Sequence, residues 1–197
     1  MRRSRIHSQL KQETAAVHRR LEEQLDLLDP SLSRERYRCV LEAFYGFYEP
    51  VEAELMSLAR AAPPLGLTLL SRHRLLRQDL IALGATAYDV EALPRCKALP
   101  PLSSPAHFGG YLYVLEGAAL GGQIVARALA RHVGIGQKTG AAFFSGDGID
   151  TAQRWKRVLE WLDESFGADD CSEPVVSAAY ATFATFSCWL NARGAAR

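Results

Sequence analysis

Residues 111 to 133 read Tyr-Leu-Tyr-Val-Leu-Glu-Gly-Ala-Ala-Leu-Gly-Gly-Gln-Ile-Val-Ala-Arg-Ala-Leu-Ala-Arg-His-Val, a helical pattern with Gly117, Gly121 and Gly122 in its middle. Each glycine in a helix interior costs about 1 kcal/mol relative to alanine, so this cluster needs a local reason. Gly117 and Gly121 are four residues apart and share a face. Without a Cβ there, something can approach the backbone itself, and the helix is free to bend. Two readings follow: a small-residue contact with a neighbouring helix, or a flat ligand lying on the helix.

The rest of the chain also reads as helix. A first helix is expected over about 5 to 28, stopped near Asp29-Pro30. A second, about 33 to 60, carries Tyr37, Val40, Leu41, Phe44, Phe47, Tyr48, Val51, Leu55 and Leu58 at helical spacing, with a kink expected at Pro50. After Pro63-Pro64 a third runs about 67 to 84 and ends at Gly84. Residues 85 to 102, with Pro94, Pro100 and Pro101, form a loop with at most a short helix. Ser104 and Pro105 then start the glycine-bearing helix, which continues to about 133. Further helices are expected at about 137 to 145, 149 to 166 and 174 to 192, the last burying Val176, Tyr180, Phe183 and Leu190. The expected fold class is all-α, a single-domain multi-helix bundle spanning 1–197.

In the first helix, Leu10, Thr14, Val17, His18, Leu21 and Leu25 recur at three- and four-residue spacing, so His18 is placed on the face that helix buries. An imidazole there is either a satisfied core histidine or a ligand. Glu22, four residues on, is positioned to orient the ring through the nitrogen not used elsewhere, as is usual for metal-ligating histidines.

A net charge of +1 argues against a dedicated nucleic-acid binder. The basic start, Met1-Arg2-Arg3-Ser4-Arg5, leads into a polar run and is not read as a secretory signal. The longest apolar region, around 111 to 126, contains Glu116 and Gln123 besides its glycines, which excludes a membrane span. Cysteines at 39, 96, 171 and 188 lack zinc-ligand spacing. With Cys39 and Cys188 in apolar helical contexts, they are expected to be buried free thiols in a reducing cytoplasm.

Taken in order, Leu10, Lys11, Thr14 and His18, followed by Gly117, Gly121 and Gly122, resemble the haem oxygenase family, with its Leu-Lys-x-x-Thr-x-x-x-His first helix and Gly-x-x-x-Gly-Gly distal helix. Phe143-Phe144-Ser145-Gly146-Asp147-Gly148 followed by Trp155 is similar to bacterial members. The stretch from Arg74 to Gly84 resembles members that supply biliverdin to bacterial phytochromes.

The resemblance implies haem, iron protoporphyrin IX, as both cofactor and substrate, held between the N-terminal helix and a glycine-kinked distal helix. His18 would be the axial metal ligand, with Glu22 orienting it. O2 and electrons from a ferredoxin or a reductase would open the ring to biliverdin, carbon monoxide and ferrous iron. Gly117, Gly121 and Gly122 would press backbone close to the porphyrin, and Phe183 would line it, with Phe143 a further lining candidate. Lys11 matches the family's propionate-binding lysine. Thr14 is assigned to the cofactor site, Tyr111 and Tyr113 are candidate phenol donors, and Lys156, within the basic cluster Arg154, Lys156 and Arg157, is a second propionate contact. Many members carry an aspartate after the first distal glycine, where this chain has Ala118, so a proton path anchored elsewhere is implied. His107, Glu116 and Gln123 lie nearby in sequence, with Gln123 read as structural. The expected protein is cytoplasmic and monomeric. Competing readings are a haem carrier of the same fold, a helical interaction protein using the glycine face, and a thiamin-degrading enzyme of similar architecture.

Overall fold

The computed structural model describes residues 5–61, 71–146, 151–167 and 172–196. Pro63 and Pro64, Asp147 and Gly148, Cys171 and the first four residues lie outside them. The elements are α1 (Arg5–Leu25), α2 (Arg34–Ala61), α3 (His73–Ala82), α4 (Ala87–Glu91), α5 (Pro105–His132), a 3-10 turn (Gln137–Thr139), α6 (Ala142–Ser145), α7 (Thr151–Phe166) and α8 (Glu173–Ala192). No strand occurs among the described residues, and the all-α expectation holds.

The ends of the helices follow local chemistry. α1 stops at Leu25, three residues before the expected end, because Asp26 takes a left-handed φ of 44° and its N–H closes on the Glu22 carbonyl at 2.9 Å. The loop between α3 and α5 holds one short helix, α4, nucleated by a capping box in which Thr86 and Asp89 exchange hydrogen bonds. Ser104 accepts from the His107 N–H at 3.2 Å and Pro105 follows it, so α5 begins where its sequence places it. The helix expected at 137 to 145 is instead broken: Gly140, at φ 124°, ends the 3-10 turn, and α6 starts two residues later. α6 is capped from a distance by Asp79 on α3, whose carboxylate accepts from the N–H groups of Ala142 at 2.7 Å and Phe143 at 2.8 Å. Pro50 sits inside the continuous helix α2.

One hydrophobic cluster draws side chains from all eight helices, for example Ile6, Tyr37, Leu76, Val90, Phe108, Phe143, Val158 and Val175. Its aromatic centre is Phe44, Phe47, Tyr48, Phe143 and Phe186, with Phe47 stacked on Phe186 at 4.4 Å. α8 runs through the middle of the bundle, packing along both α5 and α1. Its crossing with α5 is made at Gly110, where an added Cβ would stand 2.5 Å from Ala178 Cβ and 2.6 Å from the Ala179 nitrogen. The helix-packing reason for a glycine therefore applies to Gly110, and the cluster further along α5 has to be explained separately.

Several expectations about burial are corrected. Tyr180 is exposed, and α8 instead buries Val175, Ala178, Ala179, Phe183, Phe186 and Leu190. Cys39 and Cys188 are exposed free thiols and Cys96 is the buried one, because the two helices turn neighbouring residues inward. α1 buries Leu10, Thr14, Val17, Leu21 and Leu25 but leaves His18 outside. A residue next to Val17 is rotated by a full 100° step from it, which moves His18 to the edge of the stripe.

Candidate functional site

His18 shares a second line on α1 with His7, Lys11 and Glu22, four positions that recur at intervals of four, seven and four and therefore lie above one another beside the buried stripe. Its side chain is 48% exposed. The imidazole meets the Phe183 ring of α8 edge-on at 5.3 Å, which fixes its tilt. Nδ1 stands 3.6 Å from Glu22 Oε2, beyond hydrogen-bond length but close enough to bias the ring. Nε2 has no hydrogen-bond partner among the described residues, so this nitrogen is presented to whatever occupies the neighbouring space.

On α5 the matching line is Tyr113, Gly117, Leu120, Gly121 and Ile124. Leu120 and Ile124 are 42% and 54% exposed, large apolar side chains flanking the glycines, while Ala119, Gly122 and Leu129 of the same helix are buried. A Cβ at Gly121 would meet nothing within 4 Å, and one at Gly117 would touch only the indole of Trp155, at 3.5 Å and 3.7 Å. Gly122 behaves differently: its Cβ would come 2.8 Å from the Phe144 carbonyl, so Gly122 is small to admit α6, not to admit a ligand.

The two lines meet at one end. Tyr113 of α5 packs against Trp155 of α7 at 5.5 Å and against His7 of α1 at 6.4 Å, and His7 meets Trp155 edge-on at 5.8 Å. Burial raises the pKa of the Tyr113 phenol, and the Thr14 hydroxyl it faces opposes that rise. Thr14 itself donates to the Leu10 carbonyl at 2.7 Å. Burial lowers the pKa of His7, Lys11 adds to this, and Asp163 opposes it. Sequence reasoning missed His7, Leu120 and Ile124. The last two were legible as apolar residues three and seven positions beyond Gly117.

The other expected residues divide. Lys11 is exposed on the His18 line, and Lys156, also exposed, stands 3.6 Å from Glu160. Arg154 leaves the expected basic cluster: its guanidinium donates to both carboxylate oxygens of Glu116, at 2.6 Å and 2.7 Å, in a pair only 10% and 7% exposed. Tyr111 is not brought to the site either, because its hydroxyl donates at 2.8 Å to the Pro100 carbonyl. Phe143 belongs to the aromatic core. Gln123 donates to the Ser145 carbonyl at 2.6 Å, a tie between α5 and α6, and His107 sits at the start of α5 beside Ser103. Ala118 is exposed.

These residues fit a haem. A free imidazole nitrogen, a side-chain-free stretch of backbone between exposed apolar side chains, and lysines on separate helices match an iron, a flat apolar ring and two carboxylates. No helix among the described residues is long and apolar enough to cross a membrane, and none of their acidic, histidine and cysteine side chains cluster as a metal site.

Heme oxygenase of Xanthomonas campestris pv. campestris (strain 8004) is 34% identical over 117 residues, 59% of this chain and 66% of that one, just under two thirds of the relative. Among solved structures, heme oxygenase from Leptospira interrogans superposes with a TM-score of 0.77 at 20% identity, covering 95% of this chain and 98% of that one. The NO- and CO-bound heme oxygenase from Neisseria meningitidis gives 0.76 at 22% identity over 95% and 91%. Heme oxygenase-1 from the cyanobacterium Synechocystis sp. PCC6803, solved in complex with heme, gives 0.71 at 20% identity over 95% and 91%. At these identities the structures establish the fold. A family model described as Heme oxygenase matches residues 4–192, nearly the whole chain, and the protein accordingly belongs to the haem oxygenase family.

Proposed function

We propose that this protein, acting as one unit over 1–197, binds haem in the cleft between the His18 line of α1 and the glycine line of α5. It cleaves the bound haem to biliverdin, carbon monoxide and ferrous iron with O2 and electrons from an external donor. Two observations support the reading: an exposed imidazole on α1 held beside Phe183 and Glu22, and a glycine face on α5 with open space at Gly121. When bound, haem supplies both the iron that activates oxygen and the meso carbon that is oxidised.

His18 Nε2 is the iron ligand, and Glu22 on the far side of the ring favours a proton on Nδ1. Leu120 and Ile124 exclude water from the ring face. Gly117 and Gly121 hold the distal space narrow by backbone alone, since a side chain at either would fill it. Lys11 and Lys156 bind the propionates from separate helices. Glu116 is held by Arg154, and Ala118 carries no proton, so protons are delivered by water that enters at the exposed Ala118 and Gly121. The electron donor is a ferredoxin or a reductase. The biliverdin recipient is a bacterial phytochrome, a reading supported by the stretch from Arg74 to Gly84. Cys39, Cys96 and Cys188 are free thiols, which supports a reducing cytoplasm.

The test adds haemin, records the Soret band, then supplies electrons with catalase present to remove free peroxide. A Soret band that gives way to biliverdin, with a solvent isotope effect if proton delivery limits the rate, is the expected result. No Soret band would refute the reading. Stable oxygen binding without ring opening would leave a haem carrier of this fold and mark Ala118 as the loss of a proton relay.

A further inference from the structure

We propose that Trp155 is a specificity-determining residue of this cleft: it forms the wall at the Gly117 end and fixes which edge of the haem lies there, and so which meso carbon is oxidised. The proposal rests on the reading of the cleft as a haem site.

Along the glycine line the two ends differ. A Cβ at Gly121 would meet nothing, whereas one at Gly117 would stand 3.5 Å from Cη2 and 3.7 Å from Cζ3 of Trp155. The six-membered ring of the indole thus rests against α5 on the same face that a macrocycle must cover. A side chain would find open space at Gly121 and the Trp155 indole at Gly117.

The indole is held on two sides. His7 of α1 meets it edge-on, with rings 5.8 Å apart at 83°, and Tyr113 of α5 leans on it at 5.5 Å and 46°. Tyr113 is buried and faces Thr14, which ties this group back to α1. A side chain packed between three helices keeps one rotamer and presents one shape.

Such a wall can select where His18 cannot. Turning a haem in its own plane leaves the bond between iron and imidazole unchanged, so the axial ligand is indifferent to the turn. The edges of the ring differ, some bearing methyl and vinyl groups and one bearing two ionised propionates. Against an indole packed between helices a carboxylate would lose water without gaining a partner, while a methyl or vinyl edge would gain contact. Lys156, the next residue on α7, and Lys11, one turn beyond His7 on α1, are both exposed. Propionates are thereby drawn past the indole toward solvent, and the remaining edges fall into one seating.

Haemin is added to the full-length wild type and to Trp155→Ala and Trp155→Phe. Proton NMR of the ferric complex reads the hyperfine-shifted ring methyls, which report seating without turnover, and biliverdin isomers are separated after turnover. Trp155→Ala should keep the wild-type helical content, add methyl resonances absent from the wild type, and lower the ratio of major to minor isomer at least about tenfold, a difference of about 1.4 kcal/mol. Trp155→Phe should keep the wild-type pattern. An unchanged methyl set and isomer ratio in Trp155→Ala would overturn the proposal while the haem reading stands. A wild type without a Soret band would overturn both. If Trp155→Ala does not fold, His7→Ala removes the edge-on contact on the indole and should give the same new resonances at lower population; a wild-type pattern in that variant also overturns the proposal.

Discussion

His18 Nδ1 stands 3.6 Å from Glu22 Oε2, one turn along α1, which leaves Nε2 as the nitrogen available to an iron in the proposed haem site. Removing the ring and removing its neighbour should have unequal effects. His18→Ala should retain part of its haem affinity through burial of the macrocycle but lose the imidazole-ligated spectrum and nearly all turnover. Added free imidazole should restore the spectrum. Glu22→Gln should lower turnover by less than about tenfold, because the pair is exposed and longer than a hydrogen bond. Optical titration with haemin checks both; an unchanged spectrum in His18→Ala would falsify the ligand assignment.

The three glycines of α5 should respond differently to the same change. Gly121→Ala meets open space and should raise thermal stability by up to about 1 kcal/mol. Gly121→Leu should leave helical content intact while abolishing haem binding. Gly122→Ala drives a Cβ to within 2.8 Å of the Phe144 carbonyl. It should cost about 1–3 kcal/mol as α6 is pushed away. Circular dichroism melts alongside haemin titration separate the outcomes. Normal turnover in Gly121→Leu would move the ligand elsewhere.

Arg154 and Glu116 form a bidentate pair that is almost fully buried. Arg154→Met strands the Glu116 carboxylate and should cost about 3–5 kcal/mol. Combining it with Glu116→Leu should recover most of that loss. Urea denaturation of the two variants provides the comparison, and a single variant as stable as the wild type would show the pair to be incidental.

Asp79 is predicted to make stability depend on pH. Burial pushes its carboxyl up to about 6 from an ordinary 3.8, even though two backbone N–H groups favour the anion. A carboxyl whose folded pKa exceeds its unfolded value binds its proton more tightly in the fold. Its contribution to stability therefore grows as pH falls through about 6 and levels off below 3.8. Asp79→Ala should leave the Ala142 and Phe143 N–H groups unpaired and destabilise the protein by about 1–3 kcal/mol. The gap between wild type and variant should widen between pH 7 and pH 5. A gap that narrows over that range would mean that the anion is the form the fold favours.

Much of this protein is decided by local chemistry. Periodicity, the caps at Ser104 and Thr86 and the prolines between segments are interactions among residues a few positions apart, so helices and their order could be read directly. The spacing that stacks Gly117, Leu120, Gly121 and Ile124 on one face is also local, and so is the step from His18 to Glu22. What each face meets is not local. Gly117, Gly121 and Gly122 look alike in sequence, yet one touches an indole, one meets open space and one admits the backbone of α6, because α6 and α7 arrive from more than twenty residues away. Arg154 joins a basic run in sequence but is drawn inward by Glu116, since a buried carboxylate needs a cation more than the surface does. Tyr111 and Tyr113, two positions apart, diverge for the same kind of reason: one finds the Pro100 carbonyl, the other Trp155 and the Thr14 hydroxyl. The 100° step from Val17 to His18 is local, but long-range packing decided which side of α1 is buried, and it brought His7, Tyr113 and Trp155 together.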